Sequence, residues 1–323
     1  MATMTYGGAI NAAIRHEMER DENVFCIGED IGLMGGSFGV TRGLQETFGE
    51  KRVIDTPISE AMLVGASVGA AALGLSPVAE IMFSDFMTSC FDQLVNQAAK
   101  MRYMNGGNIS IPLVVRFPGG GGIQAAAQHS QSLEALLVHI PGLKVVYPSN
   151  PQDAYDLMLT AIRDRNPVMF FEHKVLYGAT GPVELNHEGI PFGKAAVKQE
   201  GTDITLIATG VYVNASLKIA KKLEKEGISV EVIDPRTLYP LDTETIYKSI
   251  DKTRKVIIVT EECKRCAWSA EMAALIAEHK FDSLDKKIVR IGALNIPAPF
   301  SGNLEELVIP SDEDIIAGIR SLL

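Results

Sequence analysis

The carboxylate of Glu60, in the stretch Asp55-Thr-Pro-Ile-Ser-Glu60, is the group of this sequence best placed to do chemistry. Pro57 prevents a helix before it, and Ser59 is a good N-cap whose side-chain oxygen can accept from a free amide of the first helical turn. Glu60 falls in that turn, where the helix dipole stabilises a negative charge. A carboxylate fixed on a helix can exchange a proton at a defined position. The same pattern also fits a core helix with an ordinary N-terminal acid.

The helix predicted to follow has small residues on one face. Ala61, Gly65 and Gly69 are spaced four residues apart. Two internal glycines cost about 1 kcal/mol each relative to alanine. We therefore expect another segment to approach this face closely.

Other polar residues follow predicted strands, and ligands of open parallel sheets bind beyond the carboxyl ends of strands. Glu29 follows the first strand, Ser84 the second, and the third runs into Phe117-Pro-Gly-Gly-Gly-Gly122. Successive glycines let backbone approach a ligand or a neighbouring subunit, although a flexible surface loop has the same composition. No G-x-G-x-x-G opens a helix after a strand, which weakens the case for a nicotinamide enzyme.

Histidine is the natural proton-transfer residue near neutral pH. His129 follows the glycine run and stands between amides and hydroxyls. It is therefore either a capped surface residue or a proton-transfer group. His16 and His279 lie on charged helix faces and His187 in a linker, so we expect all three to be solvated.

Composition excludes several classes of protein. A length of 323 residues implies roughly two domains, and 46% apolar with 22% charged residues is typical of globular chains. The net charge of −10 argues against a nucleic-acid partner. The longest uncharged apolar run, Ala61 to Leu75, is shorter than the ~20 residues of a membrane span, and residues 6–20 do not resemble a signal peptide. We therefore predict a cytoplasmic protein.

The cysteines support a reducing compartment. Cys26 and Cys90 lie in apolar segments, as core thiols do. Cys263 and Cys266 form a lone C-x-x-C. A structural zinc site would need a second pair, and a redox motif would need its usual context, so we assign this pair no role.

Predicted strands and helices alternate throughout, which is typical of an α/β fold with mainly parallel sheets. In the first half, strands are predicted at Val24–Gly28, Val78–Met82, Leu113–Phe117, Leu143–Tyr147 and Val168–Glu172, with helices near 5–20, 60–74, 85–104, 131–139 and 151–164. Asn150 and Pro151 form a cap and an N1 proline. The stretch 177–193 breaks the rhythm and is taken as the linker, after which a second, smaller βα array follows.

Several of these stretches occur together, in order, in one known family. They are Ile27-Gly-Glu-Asp30, Asp55–Glu60, Asp85-Phe86 to Asp92-Gln93, Ala127-Gln-His-Ser-Gln131, Ala161–Pro167, Asp234–Asp242 and Thr260-Glu-Glu262. The chain resembles the β subunit of the thiamine-diphosphate-dependent E1 component of 2-oxo acid dehydrogenase complexes. The resemblance implies a transketolase-like pyrimidine-binding domain over residues 1–180, a linker at 181–193, and a smaller transketolase C-terminal-type domain over 194–323.

Within that family, acetoin dehydrogenase β subunits are the most similar, with pyruvate dehydrogenase β subunits next. The stretches that carry this impression are Glu80–Phe86, Ala98–Met104, Ser130–Glu134 and Ile190–Ala195. The implied reaction is cleavage of acetoin, with transfer of an acyl-level fragment to the lipoyl group of an E2 acyltransferase. The alternative within the family is oxidative decarboxylation of pyruvate or a branched-chain 2-oxo acid.

The resemblance implies roles for four residues. Glu60 matches the family glutamate that contacts N1′ of the cofactor's aminopyrimidine, so that the 4′-nitrogen can remove the proton from thiazolium C2. Phe86 matches the aromatic position that packs on the pyrimidine ring, and Glu29 an acid near the cofactor. His129 matches the family histidine that handles the lipoyl group or the reaction intermediate. Phe86 also fits an ordinary core aromatic.

The resemblance further implies a monovalent-cation site, with K⁺ as the candidate ion. Its oxygens would come from Asp164 and Asn166 and from the carbonyls of Leu113, Ala161 and Ile162. Oxygen ligands suit a hard cation. Simple capping of a helix end by Asn166 before Pro167 is the alternative.

One motif is absent. Enzymes of this type hold magnesium and the diphosphate with a Gly-Asp-Gly…Asn motif, and Gly-Asp-Gly occurs nowhere in this sequence. The resemblance therefore implies that an E1 α subunit supplies that half of the site, in an α2β2 heterotetramer. The other hypotheses are a self-sufficient α/β enzyme with another cofactor, which the missing phosphate motifs disfavour, and a non-catalytic scaffold.

The acidic C-terminal part predicts where E2 docks. The acids expected to form this surface are Glu305, Glu306, Asp312, Glu313 and Asp314. Exposed charges of this kind mainly set encounter rate and salt dependence.

Overall fold

The chain divides into two compact units. The computed structural model describes residues 1–185 and 188–323, so His187 and part of the predicted linker lie outside the described residues. The first unit comprises Met1–Gly119 and Leu136–Phe192, and the second comprises Gly120–Ala135 and Gly193–Leu323. The glycine-rich segment 120–135 thus groups with the C-terminal part of the chain, whereas the division predicted from the sequence placed it in residues 1–180.

The first unit is built on a parallel sheet. Its strands are β2 (Val24–Gly28), β3 (Val53–Asp55), β4 (Ser76–Glu80), β5 (Val114–Gly119), β6 (Lys144–Val146) and β7 (Val168–His173), in the spatial order β6-β7-β5-β4-β2-β3. Every residue of β2, β5 and β7 is buried, as the apolar runs predict for strands covered on both faces. A separate antiparallel ribbon pairs β1 (Ala2–Thr5) with β8 (Thr180–Val183).

Helices connect these strands. They are α1 (Tyr6–Arg20), α2 (Leu44–Phe48), α3 (Glu60–Ala72), α4 (Ala99–Met104), α5 (Glu134–Val138) and α6 (Pro151–Arg163). The predicted cap of α6 is confirmed, because the Asn150 side chain accepts a 3.0 Å hydrogen bond from the amide of Asp153. Pro151 occupies the first turn, where its missing N–H costs nothing.

The single helix predicted over 85–104 is wrong. A 3₁₀ segment spans Ser84–Cys90, a π-helical segment spans Gln93–Ala98, and only Ala99–Met104 is α-helical. A period averaged over twenty residues cannot separate the three, because tighter 3₁₀ turns and wider π turns compensate each other.

The start of α3 is confirmed, but its predicted cap is wrong. The helix begins at Glu60 with Ser59 at the N-cap, yet the Ser59 side chain makes no capping hydrogen bond. Only its carbonyl takes part, accepting from the amide of Leu63 at 2.9 Å.

The close approach expected on the glycine face of α3 is also wrong within this chain. A Cβ added to Gly65 would lie 3.5 Å from Gln93, an ordinary contact, and one added to Gly69 would meet nothing described within 4 Å. Ile58 and Leu73, beside this helix, are 82% and 89% exposed. The face is open to solvent and apolar.

The second unit has its own five-stranded sheet. The strands are β9 (Ala196–Gln199), β10 (Ile204–Ala208), β11 (Val230–Asp234), β13 (Val256–Cys263) and β14 (Val289–Ala293), in the order β14-β13-β10-β11-β9 with β9 antiparallel. The unit also contains β12 (Thr237–Tyr239), α7 (Val211–Glu224), α8 (Thr243–Thr253), α9 (Trp268–Lys280), α10 (Gly302–Glu305) and α11 (Asp312–Arg320). Its core joins strand residues such as Leu206 and Ile257 to Ile315 and Ile319 of α11.

Across residues 1–185 and 188–323, no helix combines the length and the apolar character that a membrane span requires. Cys26 and Cys90 are buried thiols, as predicted. His16 and His279 are exposed, as predicted.

A buried ion cluster connects the three central strands of the first unit. Arg116 on β5 binds both oxygens of Glu172 on β7 at 2.7 Å and also contacts the carboxylate of Glu80 on β4. The Tyr177 hydroxyl donates to Glu172 at 2.6 Å. Burial raises the pKa of Glu80, while the guanidinium opposes that rise.

The loop after β2 closes over this cluster through a glycine. Gly36 has a φ of +78°, and a Cβ there would lie 2.6 Å from Oε1 of Glu80. Only glycine tolerates both the left-handed backbone and the close carboxylate.

We expect Arg116→Met to destabilise the first unit strongly. Removing the cation leaves two buried carboxylates without their partner, a loss of about 3–5 kcal/mol. Denaturant titration of the full chain measures it, with Arg165→Met as the control, because Arg165 is an exposed residue whose guanidinium contacts only the Ser110 hydroxyl in the described set. Equal losses of unfolding free energy in Arg116→Met and Arg165→Met would show that the ion cluster does not stabilise the first unit.

Candidate active site

Two carboxylates meet at the carboxyl edge of the first sheet. Glu29 follows β2 directly and is 7% exposed, and Glu60 is half-buried at the start of α3. The pKa of Glu29 is raised, first by burial and then by the nearby negative charge of Glu60, while a hydrogen bond from the Ser59 backbone lowers it. The electrostatic coupling shows that the fold brings these two predicted residues together.

Polar atoms at this edge lack partners within the described chain. Oε1 of Glu29 and Oγ1 of Thr56 are buried and make no hydrogen bond to a described residue. Asp55, by contrast, accepts from the amide of Gly32 at 2.7 Å. Buried polar atoms are almost always paired in folded proteins, so two orphans beside a carboxylate pair fit a bound polar group.

A row of aromatic rings leads from this edge into the sheet. Phe86, half-buried in the 3₁₀ segment after β4, meets Phe83 edge-to-face at 5.6 Å between ring centres. Phe83 meets Phe38 at 5.8 Å, and Phe38 stacks on Tyr177 at 4.8 Å. Because Tyr177 donates to Glu172, the row connects Phe86 to the buried ion cluster.

His129 belongs to the second unit. It is half-buried on a turn, where its amide donates to the carbonyl of Ala126 at 3.3 Å. Gln124 and Ala126 both have positive φ, at 57° and 63°. Helix α5 starts only at Glu134, later than the predicted start at 131, so His129 lies on irregular backbone.

Two carboxylates hold the segment that carries His129. Glu261 of β13 accepts from the amide of Gly121 at 2.6 Å and from the Ser132 hydroxyl at 3.0 Å. Glu305 accepts from the amides of Gly122 at 3.0 Å and Gln124 at 2.9 Å. The predicted E2-docking role of Glu305 is therefore wrong, because this carboxylate is 3% exposed and bound to backbone.

Glu262 is a site residue that the sequence reasoning missed. Its carboxylate accepts from the amides of Ala135 at 3.1 Å and Trp268 at 2.9 Å. Burial raises its pKa from 4.5 to about 7, against the two amides and Arg290, which lower it. The signal was present in the sequence, since two successive acids directly after an apolar strand must be either solvated or held by donors.

Residues of the predicted cation site already have hydrogen-bond partners within the chain. Asp164 caps α6, accepts from the Asn166 amide at 2.9 Å and forms an ion pair with Lys144. The carbonyls of Leu113 and Ala161 accept from Val168 and Asp164 at 2.8 and 3.3 Å. Each carbonyl keeps a second lone pair, so oxygen donors remain for a hard cation. Within the described ranges, His, Cys, Asp and Glu form no group of three that could hold a metal ion.

Comparison with known proteins gives the class first. The transketolase pyrimidine-binding domain matches residues 2–180, and the transketolase C-terminal domain matches residues 193–315. A solved structure described as a split-gene transketolase, an inactive β4 tetramer, superposes with a TM-score of 0.80 at 20% identity, covering 98% of this chain and 96% of that one. The fold is thus the two-domain transketolase type, in agreement with the α/β fold that the sequence predicts.

Curated relatives define the family. The chain is 48% identical to the β subunit of acetoin:2,6-dichlorophenolindophenol oxidoreductase of Bacillus subtilis (strain 168), over 98% of this chain and 96% of that protein. It is 46% identical to the 2-oxoisovalerate dehydrogenase β subunit of the same organism, over 100% and 99%. It is 43% identical to the pyruvate dehydrogenase E1 β subunit of Rickettsia conorii, over 99% and 98%. The chain therefore belongs to the family of E1 β subunits of 2-oxo acid dehydrogenase-type complexes.

We expect Glu262→Gln to remove a pH dependence from the stability of the second unit. Because the folded-state pKa is raised, the folded chain binds more protons, and stability from this group falls as pH rises from about 4.5 to about 7. The amide cannot ionise, but it can accept only one of the two backbone N–H groups. The variant should therefore be less stable than the parent at pH 5, and the difference in free energy of unfolding should become smaller towards pH 8.

Fluorescence of Trp268, the chain's one tryptophan, can follow this unfolding because the residue is buried in the second unit. Glu306→Gln, at an exposed position, is the matched control and should show no such trend. A deficit for Glu262→Gln that stays constant across pH would contradict the raised pKa.

Proposed function

We propose that this chain is the β subunit of a thiamine-diphosphate-dependent E1 that cleaves acetoin and passes the acyl-level fragment to a lipoylated E2. The observation that carries the proposal is the pair Glu29 and Glu60 at the carboxyl edge of the first sheet, with the buried oxygens of Glu29 and Thr56 left without partners. Family membership supplies the cofactor class. The carboxylate pair and the unpartnered oxygens both lie at the carboxyl edge of the first sheet.

When bound, thiamine diphosphate supplies a nucleophilic carbon that attacks a substrate carbonyl. This chain's contribution is to hold and move a proton. Glu60 is half-buried on the first turn of a helix, which fixes the position of its carboxylate. It can accept a hydrogen bond from a ring nitrogen and exchange that proton without moving the helix. Phe86 offers an apolar surface for the pyrimidine ring.

Glu29 has a second role at the same edge. Burial and the nearby charge of Glu60 raise the pKa of Glu29, and while it carries a proton this carboxyl can donate a hydrogen bond that a carboxylate cannot. Glu29 can therefore take part in relaying a proton to or from the neighbouring Glu60.

The rest of the cofactor site would come from an α subunit in an α2β2 heterotetramer. Magnesium and the diphosphate need ligands, and this chain carries no Gly-Asp-Gly. The exposed apolar face of α3, with Ile58, Leu73 and the uncovered Gly69, offers a surface that a second chain can cover. A monovalent cation at Asp164, Asn166 and the carbonyls of Leu113, Ala161 and Ile162 would stabilise the end of α6.

His129 is assigned the lipoyl-transfer step. Its segment is fixed by Glu261 and Glu305, so the imidazole is held on irregular but anchored backbone. Docking of E2 is left to the exposed acids Glu306, Asp312 and Glu313, since Glu305 is buried and Asp314 is engaged in the capping box of α11. We place the assembly in the cytoplasm.

The substrate assignment rests on finer similarity. The stretches that resemble acetoin dehydrogenases and the 48% identity to one such subunit favour acetoin. Pyruvate and branched-chain 2-oxo acids remain the alternatives because the identities to those subunits, 46% and 43%, are nearly as high. A non-catalytic scaffold is the alternative of another class, and the intact carboxylate pair disfavours it.

Reconstitution with the α subunit tests the proposal. With thiamine diphosphate and magnesium present, we expect dye reduction with acetoin at a kcat/KM well above that with pyruvate or 3-methyl-2-oxobutanoate. A preference for either 2-oxo acid would replace acetoin with that substrate. Tight cofactor binding without turnover of any of the three would leave only the scaffold.

Replacement of Glu60 by Gln tests the proton-transfer role. Gln keeps the shape and the helix but cannot share a proton with the cofactor, and loss of a positioned acid–base group costs about 10²–10⁴-fold in rate. Folding should change little, since only about 0.3–1 kcal/mol of dipole interaction is lost. We expect normal assembly with slow exchange of the cofactor's C2 proton, measured by NMR.

Glu46→Gln is the matched control, because Glu46 also lies in a first helical turn, that of α2. It should leave C2 exchange at the parental rate. If Glu60→Gln also stays within a few-fold of the parent, Glu60 is only a residue that starts a helix.

A further inference from the structure

A cavity of about 310 Å³ lies within the second unit, and the proposed function does not use it. It is found beyond the carboxyl ends of β13 and β14, where parallel sheets bind their ligands. Its lining includes the aliphatic side chains of Ile296, Val308 and Ile309. The polar side chains of Glu261, Glu262 and Ser130 also line it.

Ser130 is a buried polar side chain of this cavity. It is 7% exposed, it lines the cavity, and its hydroxyl oxygen makes no hydrogen bond to a described residue. The neighbouring Ser132 differs, since its hydroxyl donates to Glu261 at 3.0 Å. A bound molecule with a hydrogen-bonding head group would satisfy the Ser130 hydroxyl.

Charge selects the head group. Two carboxylates line the cavity, and none of its lining residues is Lys, Arg or His. Arg290 is the cation that acts on Glu262, but its guanidinium is engaged by the Ser269 hydroxyl at 3.1 Å and by the Lys264 carbonyl. Because both charged residues of the lining are acids and Arg290 is not part of the lining, an anion would be repelled at the cavity wall, whereas a cation would be attracted.

We propose that this cavity binds a small organic ammonium ion with a short aliphatic body. The N–H groups would point to Ser130 and the two carboxylates. The carbon chain would contact the aliphatic side chains of the lining. The volume of about 310 Å³ corresponds to about ten water molecules at about 30 Å³ each, which leaves room for an amine of about four to six carbons together with some water. The site is independent of the proposed E1 reaction.

Alkylation of Cys263 can report occupancy of this cavity. Cys263 is half-buried and lines the cavity, while Cys266 is exposed and does not. Trypsin cleaves after Lys264 and Arg265, so the two thiols fall on different peptides and their alkylation can be measured separately in one sample.

The experiment measures alkylation of the full chain by iodoacetamide at pH 8, where Glu262 is ionised, with n-butylammonium, butan-1-ol or butyrate at matched ionic strength. At about nine-tenths occupancy, n-butylammonium should slow Cys263 alkylation about tenfold, because only the free fraction reacts. Cys266 should be unaffected, and the alcohol and the acid should protect much less. Equal protection by the three probes, equal slowing of both cysteines, or no protection would overturn the proposal.

A variant pair tests the hydroxyl. Ser130→Ala should raise the half-protecting concentration of n-butylammonium about 3- to 10-fold, the usual value of one hydrogen bond. Ser301→Ala, at an exposed position outside the cavity, should leave it unchanged. An unchanged value for a folded Ser130→Ala would also overturn the proposed mode of binding. If that variant fails to fold, the comparison of the three probes on the parent chain decides.

Discussion

The guanidinium of Arg116 is shared between carboxylates of the two neighbouring strands, and the first unit depends on that arrangement. A buried ion cluster adds little net stability compared with a well-packed apolar replacement. Its effect here is positional. It fixes the register of β4, β5 and β7, in which Glu80 pairs with Arg116 and Glu172 pairs with Pro118, and so aligns the carboxyl edge where Glu29 and Phe86 lie. Tyr177 extends the constraint, because it donates to Glu172 and stacks on Phe38.

The second unit uses buried carboxylates for a different purpose. The segment 120–135 is rich in glycine and alanine and has few large side chains with which to anchor itself. Glu261, Glu262 and Glu305 bind its amides and one hydroxyl instead. Backbone amides are available at every residue, so this attachment needs no apolar side chain in the segment. It fixes the backbone on both sides of His129 while leaving the imidazole half-buried.

Sequence periodicity predicts most of the regular elements. The strand Val24–Gly28 matches its predicted bounds, and the helices predicted near 60–74 and 151–164 are observed at Glu60–Ala72 and Pro151–Arg163, because apolar runs and caps are local signals. The short strands β1, β3, β8, β9 and β12 were not predicted, since three or four residues carry too little pattern. The break of the 85–104 helix depends on turn geometry that an averaged period conceals.

The site residues divide in the same way. The assignment of Glu29, Glu60, Phe86 and His129 to the site stays a prediction, made from residue types and from a family resemblance that can be read from the chain. The Ser59 cap failed although the residue type is right, because capping also needs the extended backbone of an N-cap and Ser59 has a ψ of 78°. The sequence shows that the acids Glu261 and Glu262 need donors, but it does not show which donors. Glu262 and Glu305 bind amides more than 100 positions away, at Ala135 and Gly122.

The unpartnered polar atoms and the exposed apolar face of this chain indicate what kind of partner the proposed function requires. Two buried oxygens at the sheet edge need a polar group, and the open face of α3 exposes apolar surface that a solitary protein would normally cover. Gly69 adds a geometric condition, because a helix position without a side chain lets the backbone of a partner approach closely. Any α subunit must therefore bring both the phosphate-binding ligands that this sequence lacks and a segment that packs against α3. Since α3 begins at Glu60, contact with that helix would couple subunit assembly directly to the position of the proposed proton-transfer group.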